Sequence, residues 1–407
     1  MLFRSWPACG RPIAAAGLRR NLAIALAFAV LHGGVALAYH GDGKDLPATY
    51  FYPRAHAIAH GTDAYGGVDY EYPPATLPLL IAPLAAGGDD SGQAYHQRTI
   101  WLYGALDVAC VLLLASLLRR RPSGELLLAL GLYSVSVLVL GRLALTRFDL
   151  AAGVAILIAG RCARSPGRAG AWLGLAGALK LVPLAAAPAM TRRGTSLRLL
   201  AAAAAVPIAI QVAYFLWSGE VGLSWISYHA GRDPEIESWA AVLADVARAL
   251  GAHAGTAFDH GSQNVTGGAA RWLGRFFALA SIGLALLLAR RVRRADADRA
   301  LALLVALGAL VAVAPVLSPQ YLLWLAPLSA LLAPRYPLQA VLLALTCVLT
   351  RLELDVAFDD LPSFHWGAIA VLALRNAVLA AFAVALWRAV TAPGSGTPTR
   401  PAWPDRS

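Results

Sequence analysis

Residues 19–38 read RRNLAIALAFAVLHGGVALA: two arginines, then a run with no acid, lysine or arginine. As a helix rising 1.5 Å per residue, that run spans roughly 27 Å, about the thickness of the hydrocarbon core of a bilayer. Comparable apolar runs cover residues 99–118, 124–145, 197–217, 270–289, 299–317 and 366–387. Lipid offers no partner for a backbone N–H or C=O, so each run must close its hydrogen bonds internally as helix. The pattern predicts an all-α, polytopic integral membrane protein with about 10 to 12 transmembrane or re-entrant helices.

Composition agrees: 58% of residues are hydrophobic, only 14% are charged, and mean hydropathy is +0.60. The net charge of +11 would suggest nucleic-acid binding in a soluble protein, but here the arginines cluster at the ends of apolar runs. Arg19, Arg20, Arg119, Arg120, Arg121, Arg161, Arg164, Arg168, Arg192, Arg193, Arg290, Arg291, Arg293 and Arg294 therefore mark cytoplasmic loops. Eighteen of the 23 carboxylates then fall on the other side. No nucleic-acid partner is expected. Cys9, Cys110, Cys162 and Cys347 show no pairing or metal spacing, so no disulfide is expected. The first run ends in Ala36-Leu37-Ala38, which resembles a signal-peptidase site, although the topology needs that helix retained.

Alternation from an internal Arg19-Arg20 gives one domain over 1–390, with external loops 39–97, 218–269 and 351–365. The tail 391–407, rich in Pro, Gly, Ser and Thr, is expected to be disordered in the cytoplasm. Residues 169–191 are apolar, flanked by arginines, and interrupted by Lys180-Leu-Val-Pro183, the signature of a broken or re-entrant segment. Residues 322–334 and 338–350 look too short for ordinary crossings and suggest a recessed region. Residues 236–250 are amphipathic, and the His/Gly/Asn-rich stretch 251–268 has no clear assignment.

A lysine inside an apolar segment is expensive, and Lys180 is about ten residues from either end of its run, too far for easy snorkelling. The first loop interleaves acids with aromatics: Asp42, Asp45, Tyr50, Tyr52, Asp63, Tyr65, then Tyr70-Glu71-Tyr72-Pro73-Pro74. Sugars offer C–H faces to rings and hydroxyls to carboxylates, so the combination suits a sugar site. An interfacial aromatic belt explains an isolated tyrosine equally well. Arg147 has a simpler reading as partner of Asp149 at a helix start.

Several stretches together resemble glycosyltransferase family 87, the polyprenyl-phosphomannose-dependent mannosyltransferases of the GT-C superfamily. They are the acid after the first helix, the Tyr-rich stretch with Tyr-Glu-Tyr-Pro-Pro, Arg147-Phe-Asp149, Gly177-Ala-Leu-Lys180-Leu-Val-Pro183, Tyr228-His229-x-x-Arg232 through Ile236-Glu237-Ser238, and Leu317-Ser318-Pro319-Gln320-Tyr321-Leu-Leu-Trp324. The sequence departs from that pattern in lacking the aromatic that often precedes Pro183.

The resemblance implies a GT-C-type membrane enzyme that moves a sugar, mannose in the first instance, from a polyprenyl-phosphate donor to an external acceptor, inverting to an α-glycoside. It implies Asp45 as general base, with Asp42 the alternative. Arg147, Lys180, His229 and Arg232 would hold the donor phosphate. Tyr50, Tyr52, Tyr65, Glu71, Tyr72, Asp149, Glu237, Gln320 and Tyr321 would bind sugar or acceptor. No metal or cofactor is expected, and the partners are a lipid-linked donor and a glycolipid or lipoglycan acceptor. A pentosyl donor such as arabinofuranose is the alternative within the class. A lipid or solute transporter is the rival from another class, since broken helices and intramembrane lysines also serve transport.

Overall fold

The computed structural model describes residues 15–40, 45–68, 70–85, 87, 91–192, 194–219, 222–228, 232–295 and 298–391. Asp42, His229 and nearly all of the expected tail lie outside them. The helices are α1 (Ala15–Ala38), α2 (Tyr52–Ala59), α3 (Leu77–Ala85), α4 (Gly92–Leu118), α5 (Ser123–Leu140), α6 (Arg142–Thr146), α7 (Asp149–Arg161), α8 (Pro166–Leu179), α9 (Ser196–Ser218), α10 (Ser224–Ser227) and α11 (Trp239–Ala249). A hairpin of β1 (Gly255–Asp259) and β2 (Ser262–Thr266) follows. Then come α12 (Gly268–Ala295), α13 (Arg299–Ala312), α14 (Leu322–Leu332), α15 (Pro337–Val356) and α16 (Trp366–Thr391).

Among the described residues, seven helices are long and apolar enough to cross a membrane: α1, α4, α5, α9, α12, α15 and α16. The chain is an all-α polytopic membrane protein. Of these helices, α9 and α12 bury the least surface against protein, while every residue of α13 after Arg299 and every residue of α14 is buried. A helix apolar on all sides and covered on all sides belongs to the interior. Helices α7, α13 and α14 have 13, 14 and 11 residues, so they run roughly 16–21 Å and end short of a full crossing.

Two expected boundaries shift. The run 124–145 is split at Gly141, whose φ of 48° ends α5 and starts α6. The run 338–350 extends to Val356 and makes a full-length helix, because Glu353 is neutralised inside the protein by Arg375 of α16 (Oε2 to Nε 2.9 Å). The stretch 169–191 is broken as expected: α8 stops at Leu179, Lys180 is extended, and a 3-10 segment, Val182–Met190, carries Pro183 and Pro188. Proline removes backbone donors and keeps the segment from resuming as α-helix.

The turns sort into two ends of the bundle. At one end Asn21 Nδ2 donates to the carbonyls of Arg119 and Arg121, and Arg299 reaches Ala163 O and Thr195 Oγ1. Arginines crowd this end. At the other end Asp45, Arg142, the Tyr70–Thr76 stretch, the hairpin and the 315–321 segment are tied together. In the span between, His32 of α1 bridges Asp107 of α4 (2.6 Å) and Ser134 of α5 (2.8 Å), and Tyr133 Oη also donates to Asp107 (2.7 Å). The order Ser-His-Asp mimics an acyl-transfer triad, but Ser134 Oγ donates to Leu130 O and all three groups are buried between helices. It is a clamp holding α1, α4 and α5.

Candidate active site

The site forms where three interrupted elements meet: the start of α7, the end of α8 and the start of α14. Phe148 is buried in an aromatic cluster, 5.0 Å from Phe51 and 5.1 Å from Tyr72 between ring centroids. That anchor fixes its neighbours, Arg147 in extended conformation and Asp149 as the first residue of α7. Lys180 follows the last turn of α8, and its Nζ lies 3.9 Å from Asp149 Oδ1 and 4.2 Å from the Tyr72 ring centroid. Trp324 Nε1 donates to the same Oδ1 at 2.9 Å. Tyr321 stacks on Trp324, centroids 4.1 Å apart, with Lys180 6.0 Å from the Tyr321 ring. Glu71, Arg147 and Glu235 supply further charge around Lys180.

The Tyr70-Glu71-Tyr72 alternation has a direct structural result. Tyr70 and Tyr72 are both buried, Tyr70 Oη pairing with Thr76 Oγ1 at 2.8 Å, which leaves Glu71 on the opposite face. Over that face sits the tip of the hairpin. His260 and Gly261 have φ of 52° and 69°, the two positive values a two-residue type I′ turn requires. A Cβ placed on Gly261 would lie 3.5 Å from Glu71 Oε2 and 3.7 Å from Tyr228 Oη, so the turn rests on the carboxylate. The stretch without assignment in the sequence is thus a roof.

Glu235 closes the site from the same side. Its Oε1 accepts from Ser318 Oγ at 3.1 Å and lies 3.8 Å from Arg232 Nη2, which also pairs with Ser262 of the hairpin. Burial pushes the Glu235 carboxyl above its ordinary range, and Arg232 opposes that shift. Sequence reasoning missed Glu235 and Ser318. The one signal was the three-residue spacing from Arg232, overshadowed by Glu237.

The structure thus gathers Glu71, Tyr72, Arg147, Asp149, Lys180, Arg232 and Tyr321, with Gln320 buried beside Tyr321. Other expected residues sit elsewhere. Glu237 faces Arg375 (3.6 Å) beside Glu353, and Asn376 Nδ2 donates to its carbonyl, making a strut between the 232–238 segment and α16. Tyr65 donates to Tyr72 O at 2.7 Å, and Tyr52 packs on Tyr95. Tyr50 carries the guanidinium of Arg54 over its ring at 3.6 Å. Nearby, burial works to raise the Asp63 carboxyl, but hydrogen bonds from Tyr214, Gly66 and Tyr65 more than offset it and hold it below its ordinary value. Asp45 stands one element away, its Oδ1 accepting from Arg142 Nη1 at 2.8 Å and its Oδ2 3.5 Å from His96 Nε2.

Cations, carboxylates and rings thus gather at the ends of broken helices. Residues 70–319 match the family described as Glycosyltransferase family 87. The chain belongs to that family. It is a membrane glycosyltransferase, which sets aside the transporter reading. Comparison with curated proteins and with solved structures returns no match. The family match runs from Tyr70 to Pro319 and so includes the Tyr-Glu-Tyr stretch, Arg147, Asp149, Lys180, Arg232 and Glu235.

Proposed function

We propose that the protein transfers mannose from a polyprenyl-phosphate donor to a glycolipid or lipoglycan at the outer face of the cell membrane, with inversion to an α-glycoside. The observation that carries this reading is Lys180, held at the break between α8 and the 3-10 segment, with the charge of Arg147 near it and Arg232 beside its neighbour Glu235. A lipid phosphate brings its charge to membrane depth, and cations there stabilise it as it departs. The tyrosines and carboxylates around them offer stacking and hydroxyl pairing to a sugar. The positive-inside rule makes the arginine-rich end of the bundle the cytoplasmic one, which supports a site on the outer side.

Inversion in a single displacement needs one carboxylate to take the acceptor proton on the face opposite the leaving phosphate. Asp45 is our base. Arg142 holds one of its oxygens at 2.8 Å and fixes the direction of the carboxylate. The resemblance to the family likewise implies an acid after the first helix. No metal is invoked, because Lys180, Arg147 and Arg232 supply the positive charge the phosphate needs.

The test is transfer of radiolabelled mannose from polyprenyl-phosphomannose to a membrane lipid extract by the purified protein. Asp45→Asn keeps the volume of the side chain but cannot accept the proton. It should bind donor normally and lose turnover by at least about 10²-fold. Near-normal turnover in Asp45→Asn with loss in Asp42→Asn moves the base to Asp42. Activity in both variants rejects the mechanism.

A further inference from the structure

Glu235 is buried, yet it is only half used. Its Oε1 takes Ser318 and faces Arg232 at 3.8 Å, beyond hydrogen-bond length, while Oε2 has no hydrogen-bond partner among the described residues. Buried carboxylate oxygens are nearly always paired, and an orphan one costs free energy unless something else fills the place. The backbone around it is fixed with unusual thoroughness. Glu235 N donates to Pro315 O at 3.0 Å, Ile236 N to Gln263 O at 2.9 Å, and Val265 N to Pro234 O at 2.9 Å, so the segment joins β2 through one antiparallel bridge, Glu235 opposite Asn264. Two separate parts of the chain, β2 and the 315–318 segment, thus hold one carboxylate in place.

A purely structural role is the competing explanation, since Arg232 and Glu235 are three apart and make an ion pair. It accounts for Oε1 and leaves Oε2 without a reason. Glu237, two residues on, belongs to a different group: its Oε1 also lacks a hydrogen bond, but it faces Arg375 Nη2 at 3.6 Å in a buried cluster with Glu353. The charges around Glu235 are Arg232, Arg375 of that cluster and Lys180 of the active site, and Tyr321 lies within reach of its field.

We propose that Glu235 Oε2 accepts a hydrogen bond from a hydroxyl of the sugar being transferred, making Glu235 a specificity residue for the donor sugar. This rests on the reading above, in which Lys180, Arg147 and Arg232 hold the donor phosphate. The anomeric carbon is one oxygen away from that phosphate, so the hydroxyls of the same ring fall among the groups that surround the cations. A bare carboxylate there would repel the phosphate. A sugar hydroxyl donating to Oε2 fills its empty acceptor position, and the Ser318 bond fixes which way the acceptor points. Such a site favours the epimer whose hydroxyl reaches it, because the wrong epimer leaves a buried acceptor unpaired.

The experiment uses the purified full chain with short-chain polyprenyl-phosphate sugars that are epimers at C2 or C4, and sugar-free polyprenyl phosphate as competitive inhibitor. Glu235→Gln should lower kcat/KM for the preferred donor by about 10- to 100-fold and narrow the ratio between epimers, while the inhibition constant of polyprenyl phosphate stays within about twofold. An unchanged kcat/KM and epimer ratio overturns the proposal. So does an equal loss for every donor, or a parallel loss of polyprenyl phosphate affinity, since either places the residue on the phosphate or the fold. If Glu235→Gln does not fold, Ser318→Ala takes its place, and an unaltered epimer ratio in that variant overturns the proposal equally. A wild-type protein that transfers no sugar from any polyprenyl phosphate is a different result, and rejects the donor class itself.

Discussion

Lys180 shows how one residue collects a site. Its amine is held by Asp149 at 3.9 Å and by the face of Tyr72, both fixed in turn by Trp324 and by the aromatic cluster around Phe148. An intramembrane ammonium so arranged is compensated but not saturated, and a phosphate is a better partner than a ring. Lys180→Ala and Arg147→Ala should each weaken polyprenyl phosphate binding by about 10- to 100-fold, the range of hydrogen bonds to charged groups, with the protein still folded. Titration of the solubilised variants with polyprenyl phosphate reads this directly, and unchanged affinity in both sends them back to structural roles. The residues that converge here were legible for a physical reason: a lysine in lipid and an acid at a helix start are costly unless partnered. Glu235 was not. Asp233, Glu235 and Glu237 alternate like a strand, but the chain leaves extended conformation at Ile236, so Glu235 and Glu237 end in different clusters and no periodicity separates them.

At the scale of elements, the position of Lys180 depends on how α8 packs. Gly170 and Gly174 are four apart and face the backbone of α9, where Gly170 meets Leu199 O and a Cβ on Gly174 would stand 2.6 Å from Ala203 O and 3.0 Å from Val206 Cβ. Helices approach this closely in membranes through small residues spaced by four. Gly174→Val must push α9 away and shift the C-terminal end of α8, so it should cost ~1–3 kcal/mol of stability and reduce transfer activity together. Gly283→Ala on α12, where nothing lies within 4 Å, is the control and should leave the melting temperature unchanged or slightly higher. Equal melting temperatures for wild type and Gly174→Val would remove the close α8–α9 contact from the account. Element lengths were legible wherever lipid-facing apolarity set them, as in α1, α9, α12 and α16. They were misread where tertiary pairing decided, as in α15, which continues past Thr350 because Arg375 receives Glu353, and at Gly141, where one positive φ divides a run of uniform hydropathy. The hairpin was invisible because its strands answer to the site beneath them and to the 234–236 segment, and neither is near it in sequence.

The whole molecule is organised by its two ends, and this is the most exposed claim to test. Asn21 ties the base of α1 to the α4–α5 turn, and Arg299 ties the α7–α8 turn to the base of α9, so the arginine-bearing turns share one end. The opposite end is knit as tightly, with Asp45 on Arg142, Gly261 over Glu71, Arg232 on Ser262, Glu235 on Ser318 and Thr256 Oγ1 on Pro362 O. These bonds leave no freedom for one loop of a set to lie on a different side from the rest, whichever way the protein is inserted. The positive-inside rule then chooses the direction, since cytoplasmic loops carry the Lys/Arg excess. Reporter fusions after Tyr65, Asp233 and Asp359 should all give the external signal, and fusions after Arg121 and Arg293 the cytoplasmic one. A complete reversal of all five signals would keep the fold and move the site to the cytoplasmic face, which would exclude a donor presented from outside. A mixed result, such as Tyr65 and Arg121 on the same side, contradicts the hydrogen bonds that define the ends and would overturn the architecture itself.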